Sequence, residues 1–173
     1  IPKEKKIADR YYSKLIPPSD KIIFEFDRNK AFFENILGEN IELKKPHIQQ
    51  IKKHQKPHLV LFAGASETYK RWSWEKFAKS ALQIVQKHDL EIKIVGSKTE
   101  LKIADLMVDF FKNHNANTSN LIHYQNLTAK TSLLELTQLI ADSYLLLTNE
   151  TVAVHLAVAT QSKAICIANG RHF

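Results

Sequence analysis

The sequence is poor in the residues that staple, hinge or span. Its 173 residues include one cysteine, one methionine, four glycines and five prolines. A single cysteine, Cys166 in the run AICIA, excludes an internal disulfide. Read as a buried thiol, it points to a reducing compartment. The histidines form no HExxH motif, and there is no paired-cysteine spacing, which argues against a protein-built metal site. The nucleotide-binding patterns that depend on glycine, GxxxxGK[ST] and GxGxxG, are both absent. No apolar run reaches about 18 residues, so no helix is expected to span a membrane. The opening residues, IPKEKKIADRYY, lack the apolar centre of a signal peptide. With no initiator methionine and an abrupt end at NGRHF, the chain reads as a piece of a longer protein.

What is present describes one ordinary domain with a real core. Hydrophobic residues make up 44% and the formal net charge is +7, which fits a globular chain and not a disordered one. The positive charge favours anionic partners such as nucleotides, acidic membranes, lipid-borne sugars or nucleic acid, without choosing among them. It also fits a plainly solvated basic face. The lysines are dispersed (Lys3, Lys5, Lys6, Lys44, Lys45, Lys52, Lys53, Lys56). No arginine cluster or aromatic-studded repeat marks a nucleic-acid surface.

Residues 1–57 and 58–173 differ in texture. The first stretch is rich in Lys, Pro and Asn and reads as a connector and the remnant of a preceding domain. Within it, KIIFEF (21–26) is predicted as a strand and NKAFFENILG (29–38) as a short helix ended by Gly38. HIQQIKKHQKP (47–57) reads as linker. From residue 58, β-prone runs recur at HLVLFA (58–63), EIKIVG (91–96), LIHY (121–124), YLLLT (144–148) and AICIA (164–168). Several are apolar almost throughout, as strands buried on both faces are. Helical segments separate them. Phe77, Ala78, Ala81, Leu82 and Val85 share one face of 74–88, and Ile103, Met107 and Phe110 share one face of 99–113, with Ala104 and Phe111 beside them. Segments 132–141 and 152–160 complete the set. This alternation predicts an α/β fold: a Rossmann-like, doubly wound parallel sheet. Ligands of such sheets bind outside the carboxyl ends of the strands.

Four loops share that edge. In GASETYKRWS (64–73), Gly64 permits close backbone approach, Ser66 and Thr68 offer hydroxyls, and Lys70 and Arg71 offer charge. The loop reads either as a cradle for an anion or as a surface turn, with Ser73 capping the next helix. In GSKTE (96–100), Glu100 is suited to a ribose diol or simply to the helix N-terminus. In QNLTAKTSLLEL (125–136), Ser132 and Glu135 are spaced as a capping box, and the backbone near Lys130 and Thr131 would lie beside a nucleotide base. In TNETVAVHLA (148–157), Asn149, Glu150 and Thr151 stand where capping alone accounts for them. His155 falls on the apolar face of Val152, Leu156 and Ala159, as a core histidine or a ligand contact.

In this order the loops resemble the carboxyl-terminal half of glycosyltransferase family 9, the ADP-heptose:lipopolysaccharide heptosyltransferases. The matching segments are GASETYKRWS, IVGSKTE, TAKTSLLEL and NETVAVHLAVA. They cover roughly residues 58–170, and residues 20–40 resemble the connector before that half. Three positions depart from the family pattern: Glu150 replaces an Asp, Val152 a Gly and Ser73 a Pro.

The resemblance implies a GT-B architecture with this chain as its carboxyl-terminal, nucleotide-sugar-binding domain. It implies that Ser66 and Lys70 contact the diphosphate, Lys70 as leaving-group stabiliser. Glu100 would hold the ribose, Thr131 the adenine, and Glu150, Thr151 and His155 the sugar. It further implies an inverting, metal-independent transferase with no cofactor beyond its ADP-sugar substrate. A lipid-linked glycan acceptor would be held by an amino-terminal domain, in the cytoplasm or peripherally at the inner face of the inner membrane, with no nucleic-acid partner. The rival expectation is a non-catalytic nucleotide-binding or interaction module that kept the fold, for which Glu150 and Val152 speak.

Overall fold

The computed structural model describes Ile16 and residues 24–48 and 56–168. The chain divides into two compact units, with the boundary between Lys45 and Pro46.

In the first unit, helix α1 spans Glu25–Leu37. Glu25 and Asp27 in its first turn suit the positive end of the helix dipole. Gly38 ends it in the left-handed region at φ 73° and donates its N–H to the Glu34 carbonyl, the usual glycine stop. The strand expected over 21–26 is corrected where it can be seen. Residues 21–23 lie outside the described residues, and Glu25 and Phe26 already belong to α1. Glu34 pairs with Lys30 one turn back and accepts from the Ile41 N–H at 2.9 Å.

The second unit is the predicted parallel α/β sheet. Its strands are β1 (His58–Phe62), β2 (Glu91–Ile94), β3 (Tyr124–Asn126), β4 (Leu145–Asn149) and β5 (Ala164–Ile167). Helices α2 (Trp74–His88), α3 (Leu101–Ala116), α4 (Leu133–Asp142) and α5 (Val152–Ala159) connect them. The order is β3-β2-β1-β4-β5, and every neighbouring pair is parallel. The chain builds outward from β1 to β3, then returns to place β4 on the other side of β1. The switch point of the sheet therefore lies between β1 and β4.

Strand β1 is buried on both faces, which is why its sequence does not alternate. Leu59 and Leu61 join Phe77, Ala78, Ala81, Val85, Met107 and Phe111 in one core. Val60 faces the other way, toward Leu136, Ile140, Leu146, Ala153 and Ala157. Helices α2 and α3 thus cover one face, and α4 and α5 the other. Burying a large aliphatic or aromatic side chain is worth about 1.5–3 kcal/mol, so β1 is the main anchor of both layers.

Three expectations need correction. The strand over 121–124 starts only at Tyr124, which pairs with Ile92. The Asn115 carboxamide takes both backbone groups of Ile122, donating to its carbonyl and accepting its N–H at 3.0 Å each. On α3, the fully covered residues are Ala104, Met107 and Phe111, while Ile103 and Phe110 are only partly covered. Finally, Cys166 is exposed, because β5 is an edge strand of this sheet. Its thiol is nonetheless pushed up, first by partial burial and then by the charge of Glu150.

Candidate functional site

The carboxyl ends of β1, β2 and β4 open into one groove of about 420 Å³. Ser66, Glu100, Glu150 and Thr151 line it, with Phe62 and Val152 supplying apolar wall. Four of the residues singled out from sequence therefore meet at one place, although they are spread over three loops.

Each loop is fixed by its own chemistry. The loop after β1 contains a short 3-10 turn, Thr68–Lys70. The Arg71 Nε donates to the Ala65 carbonyl at 2.8 Å, which folds the loop back on itself. Trp72 packs edge-on against Phe77, with ring centres 5.2 Å apart. Ser73 caps α2, accepting from the Lys76 N–H, as its position before the helix predicts. Lys70 closes the 3-10 turn and is partly exposed. It has no ion pair among the described residues.

Glu100 is the most constrained member. Only 8% of it is exposed. One carboxylate oxygen accepts from the Ser97 N–H at 2.8 Å and the Ser97 hydroxyl at 2.6 Å. The other accepts from the Thr99 hydroxyl at 2.7 Å. With Ser97 it forms a capping box over the 3-10 turn Lys98–Glu100. Burial acts to raise its pKa, but the hydrogen bonds from Ser97 and Thr99 and the charge of Arg71 outweigh it and hold the carboxyl below its ordinary value. A carboxylate offers about four acceptor positions, so three internal bonds leave one for a ligand hydroxyl. Helix-end support and ligand contact are thus compatible in one side chain.

Glycine scarcity matters here. A Cβ at Gly64 would stand 2.5 Å from the Glu100 Cγ, and one at Gly96 would stand 3.0 Å from its Cβ. Two of the four glycines therefore make room for this one carboxylate.

The loop after β4 supplies Glu150 and Thr151. Thr151 caps α5 through its hydroxyl, which accepts from the Ala153 N–H at 3.3 Å. His155 is exposed, and so is Val152. The covered residues of α5 are Ala153, Ala157 and Ala159. The face expected through Val152, His155, Leu156 and Ala159 is thus corrected in part: Ala159 is buried and Leu156 packs against the core, but Val152 and His155 turn outward. His155 is not among the residues lining the groove.

Thr131 lies elsewhere. It borders a second groove of about 480 Å³ along α4, with Lys130, Leu134 and Glu135. The loop leading to it is tied to the first site, since the Ala129 N–H donates to the Gly96 carbonyl at 2.8 Å. Lys130 Nζ donates to the Asn126 carbonyl at 3.0 Å, and the Ser132–Glu135 capping box is present. Beside Gly64 and Glu100, a small cavity of about 10 Å³ is lined by Thr128, whose buried hydroxyl has no hydrogen-bond partner among the described residues.

Sequence reading missed Ser97, Thr99 and Phe62 as members of the site. The S-x-T-E spacing in GSKTE was the available signal for the first two. Asn149 was read as a cap, but it is the buried last residue of β4. Among the described residues, no three His, Cys, Asp or Glu side chains are placed to hold a metal ion. No described helix is long and apolar enough to cross a membrane.

Comparison with known proteins gives the chain a family and agrees with its fold. The family model of glycosyltransferase family 9 (heptosyltransferase) matches residues 21–168. The lipooligosaccharide heptosyltransferase 2 of Campylobacter jejuni serotype O:2 is 30% identical over 162 residues, covering 82% of this chain and 49% of that protein. The protein of the same name from serotype O:6 is 33% identical over 140 residues, covering 80% and 41%. The chain thus spans about half the length of the curated relatives it matches. Among solved structures, the E. coli ADP-heptose lipopolysaccharide heptosyltransferase II superposes with a TM-score of 0.57 at 18% identity, over 93% of this chain and 42% of that one. The E. coli heptosyltransferase WaaC, solved with ADP, gives 0.61 at 16% identity, over 92% and 49%.

Proposed function

Because the chain belongs to glycosyltransferase family 9, the heptosyltransferase family, we propose that it is the donor-binding part of an enzyme transferring a sugar from an ADP-sugar. Heptose is the proposed sugar, and a lipopolysaccharide core or related surface glycan the proposed acceptor. The carrying observation is the convergence of Ser66, Glu100, Glu150 and Thr151 on one groove at the switch point of the sheet. Ligands of open α/β sheets bind at such points.

In this reading Glu100 accepts from the ribose, Ser66 meets the diphosphate, and Glu150 and Thr151 face the sugar; Lys70 and His155, outside the groove's lining, are proposed to join them on the diphosphate and the sugar. Thr131, in the neighbouring groove, serves the adenine. A relative of the same fold solved with ADP supports adenine as the base. Cleavage of the bond between the anomeric carbon and the diphosphate builds negative charge on the leaving oxygen. Lys70 and nearby backbone N–H groups stabilise that charge more in the transition state than in the ground state. The proposed chemistry is inverting and needs no metal. The acceptor and the general base belong to a second domain of a GT-B enzyme, working in the cytoplasm or at the inner face of the inner membrane.

Calorimetric titration with ADP and ADP-heptose, beside UDP and GDP, tests this. Selective binding of the adenine nucleotides, lost in Lys70→Ala, is expected. Equal or absent binding of all three diphosphates would sink it. Glycosyl transfer by these 173 residues alone would refute the assignment of the base to another domain.

A second reading, a nucleotide-binding module without transfer, draws on Val152, which is 49% exposed and lines the groove. ADP-heptose binding without transfer by the full-length protein would favour it.

A further inference from the structure

Asn149 is a side chain that the proposed chemistry does not use. It ends β4, is fully buried, and spends its whole carboxamide on the opposite loop. Its Nδ2 donates to the Ala63 carbonyl at 2.7 Å and to the Gly64 carbonyl at 3.4 Å. Its Oδ1 accepts the Trp72 N–H at 3.0 Å. The orientation of the amide is unambiguous, because a flipped group would set an oxygen against two carbonyl oxygens. The three bonds touch both ends of the loop 64–72, which carries Ser66, Lys70 and Arg71. The next two residues after Asn149 are Glu150 and Thr151, on the facing wall of the groove.

We propose that Asn149 is a positioning residue: it fixes the loop bearing Ser66 and Lys70 in register with Glu150 and Thr151. It does this by clamping both ends of that loop to the end of β4. Ser66 and Lys70 lie between the two clamped ends, where a ligand would meet them, while the ends cannot drift. The Arg71–Ala65 bond closes the same loop internally, and the Trp72–Phe77 contact seats its far end on the core. Asn149 links it across the groove to the strand that supplies the other wall. The inference rests on the donor-site reading for its ligand, though not for its geometry.

Two variants of the full-length protein test it. Asn149→Ala removes all three bonds. Asn149→Asp keeps the volume and the acceptor but loses the donor, so a loss cannot be blamed on a cavity. Affinity for ADP is expected to fall about tenfold or more in both, since sub-ångström misplacement of binding groups is that costly. Affinity for adenosine, which lacks the phosphates the loop would meet, is expected to stay within about twofold of the parent on the same argument. Amides of 65–72 are expected to exchange faster in both variants, while those of β1 and β4 stay protected. ADP affinity unchanged in the folded variants, or ADP and adenosine weakened alike, would overturn the role. Should Asn149→Ala not fold, Asn149→Asp and the Trp72 amide of the unaltered protein decide: free exchange at Trp72 would show that the clamp does not hold. If the unaltered protein binds no ADP, the donor-site reading fails, and amide exchange alone still upholds or overturns the clamp.

Discussion

Gly64 is the tightest point of the site. The Glu100 side chain fills the space where its Cβ would be. Gly64→Ala must therefore move either the strand end or the carboxylate, and overpacking of this kind costs about 1–3 kcal/mol. Lower thermal stability and weaker ADP binding are expected together, measured by calorimetric melting and titration. Gly96→Ala, at 3.0 Å from the Glu100 Cβ, should do the same more mildly. Equal, negligible effects of the two would show that Glu100 is free to move aside. The sequence displayed the glycines and the glutamate but not their meeting. A glycine at a strand end has several ordinary explanations, and only packing shows which one applies. Asn149 is a parallel case. Next to Glu150 and Thr151 it looks like a third helix-start residue, because caps are local and readable, whereas its partners lie 77 to 86 residues away in the chain.

The helices obey their local signals. Ser73 and Ser132 cap where their positions indicated, and Gly38 stops α1. Local rules carry because a cap involves only one turn of chain. The strands were harder at their ends. KIIFEF has β-prone composition, yet acidic residues at Glu25 and Asp27 suit a helix start, and α1 begins there. LIHY lost its first residues to the Asn115 carboxamide. AICIA is apolar, but its strand is an edge of the sheet and mostly exposed. Two capping boxes with the same residue types, Ser97 with Glu100 and Ser132 with Glu135, allow a direct comparison. Loss of an N-cap serine costs about 0.5–2 kcal/mol, so Ser97→Ala and Ser132→Ala should both lower the melting temperature. Only Ser97→Ala also removes the hydroxyl bond to the Glu100 carboxylate. It should weaken ADP binding severalfold, while Ser132→Ala acts on stability alone. Calorimetry on the two variants separates the effects, and equal loss of binding would contradict the distinct role of Glu100.

At the scale of the whole molecule, acid should lower the protein's stability in two successive pH ranges. His58 is fully buried, with its ring nitrogens facing the carbonyls of Lys56 and Leu139 at 3.2 and 3.1 Å. Burial, then the charge of Lys93, lowers its pKa, against those two carbonyls and Asp142. A lowered histidine pKa means that the unfolded chain takes up the proton first. Stability is then lost as pH falls from about 6.5 toward the folded value. Glu100, also lowered, contributes stability that is present above the ordinary carboxylate value of 4.5 and lost as pH falls through its folded value. Melting temperature against pH should thus decline first below about 6.5, then again in the acid range. His58→Gln should remove the first decline and Glu100→Gln flatten the second. A first decline that persists in His58→Gln would assign it to another group.

The order β3-β2-β1-β4-β5 also sets a sequence of assembly. Leu59 pairs with Ile92 on one side and with the far more distant Leu145 on the other. Long closures carry more chain entropy and slow folding. A chain that has paired β1, β2 and β3 already holds α2, α3 and the larger core, yet it has no groove. The wall bearing Glu150 and Thr151 does not exist until β4 has docked, and Asn149 cannot reach Ala63 before then. Helix content counts molecules that have begun to fold; an occupied groove counts those that have finished.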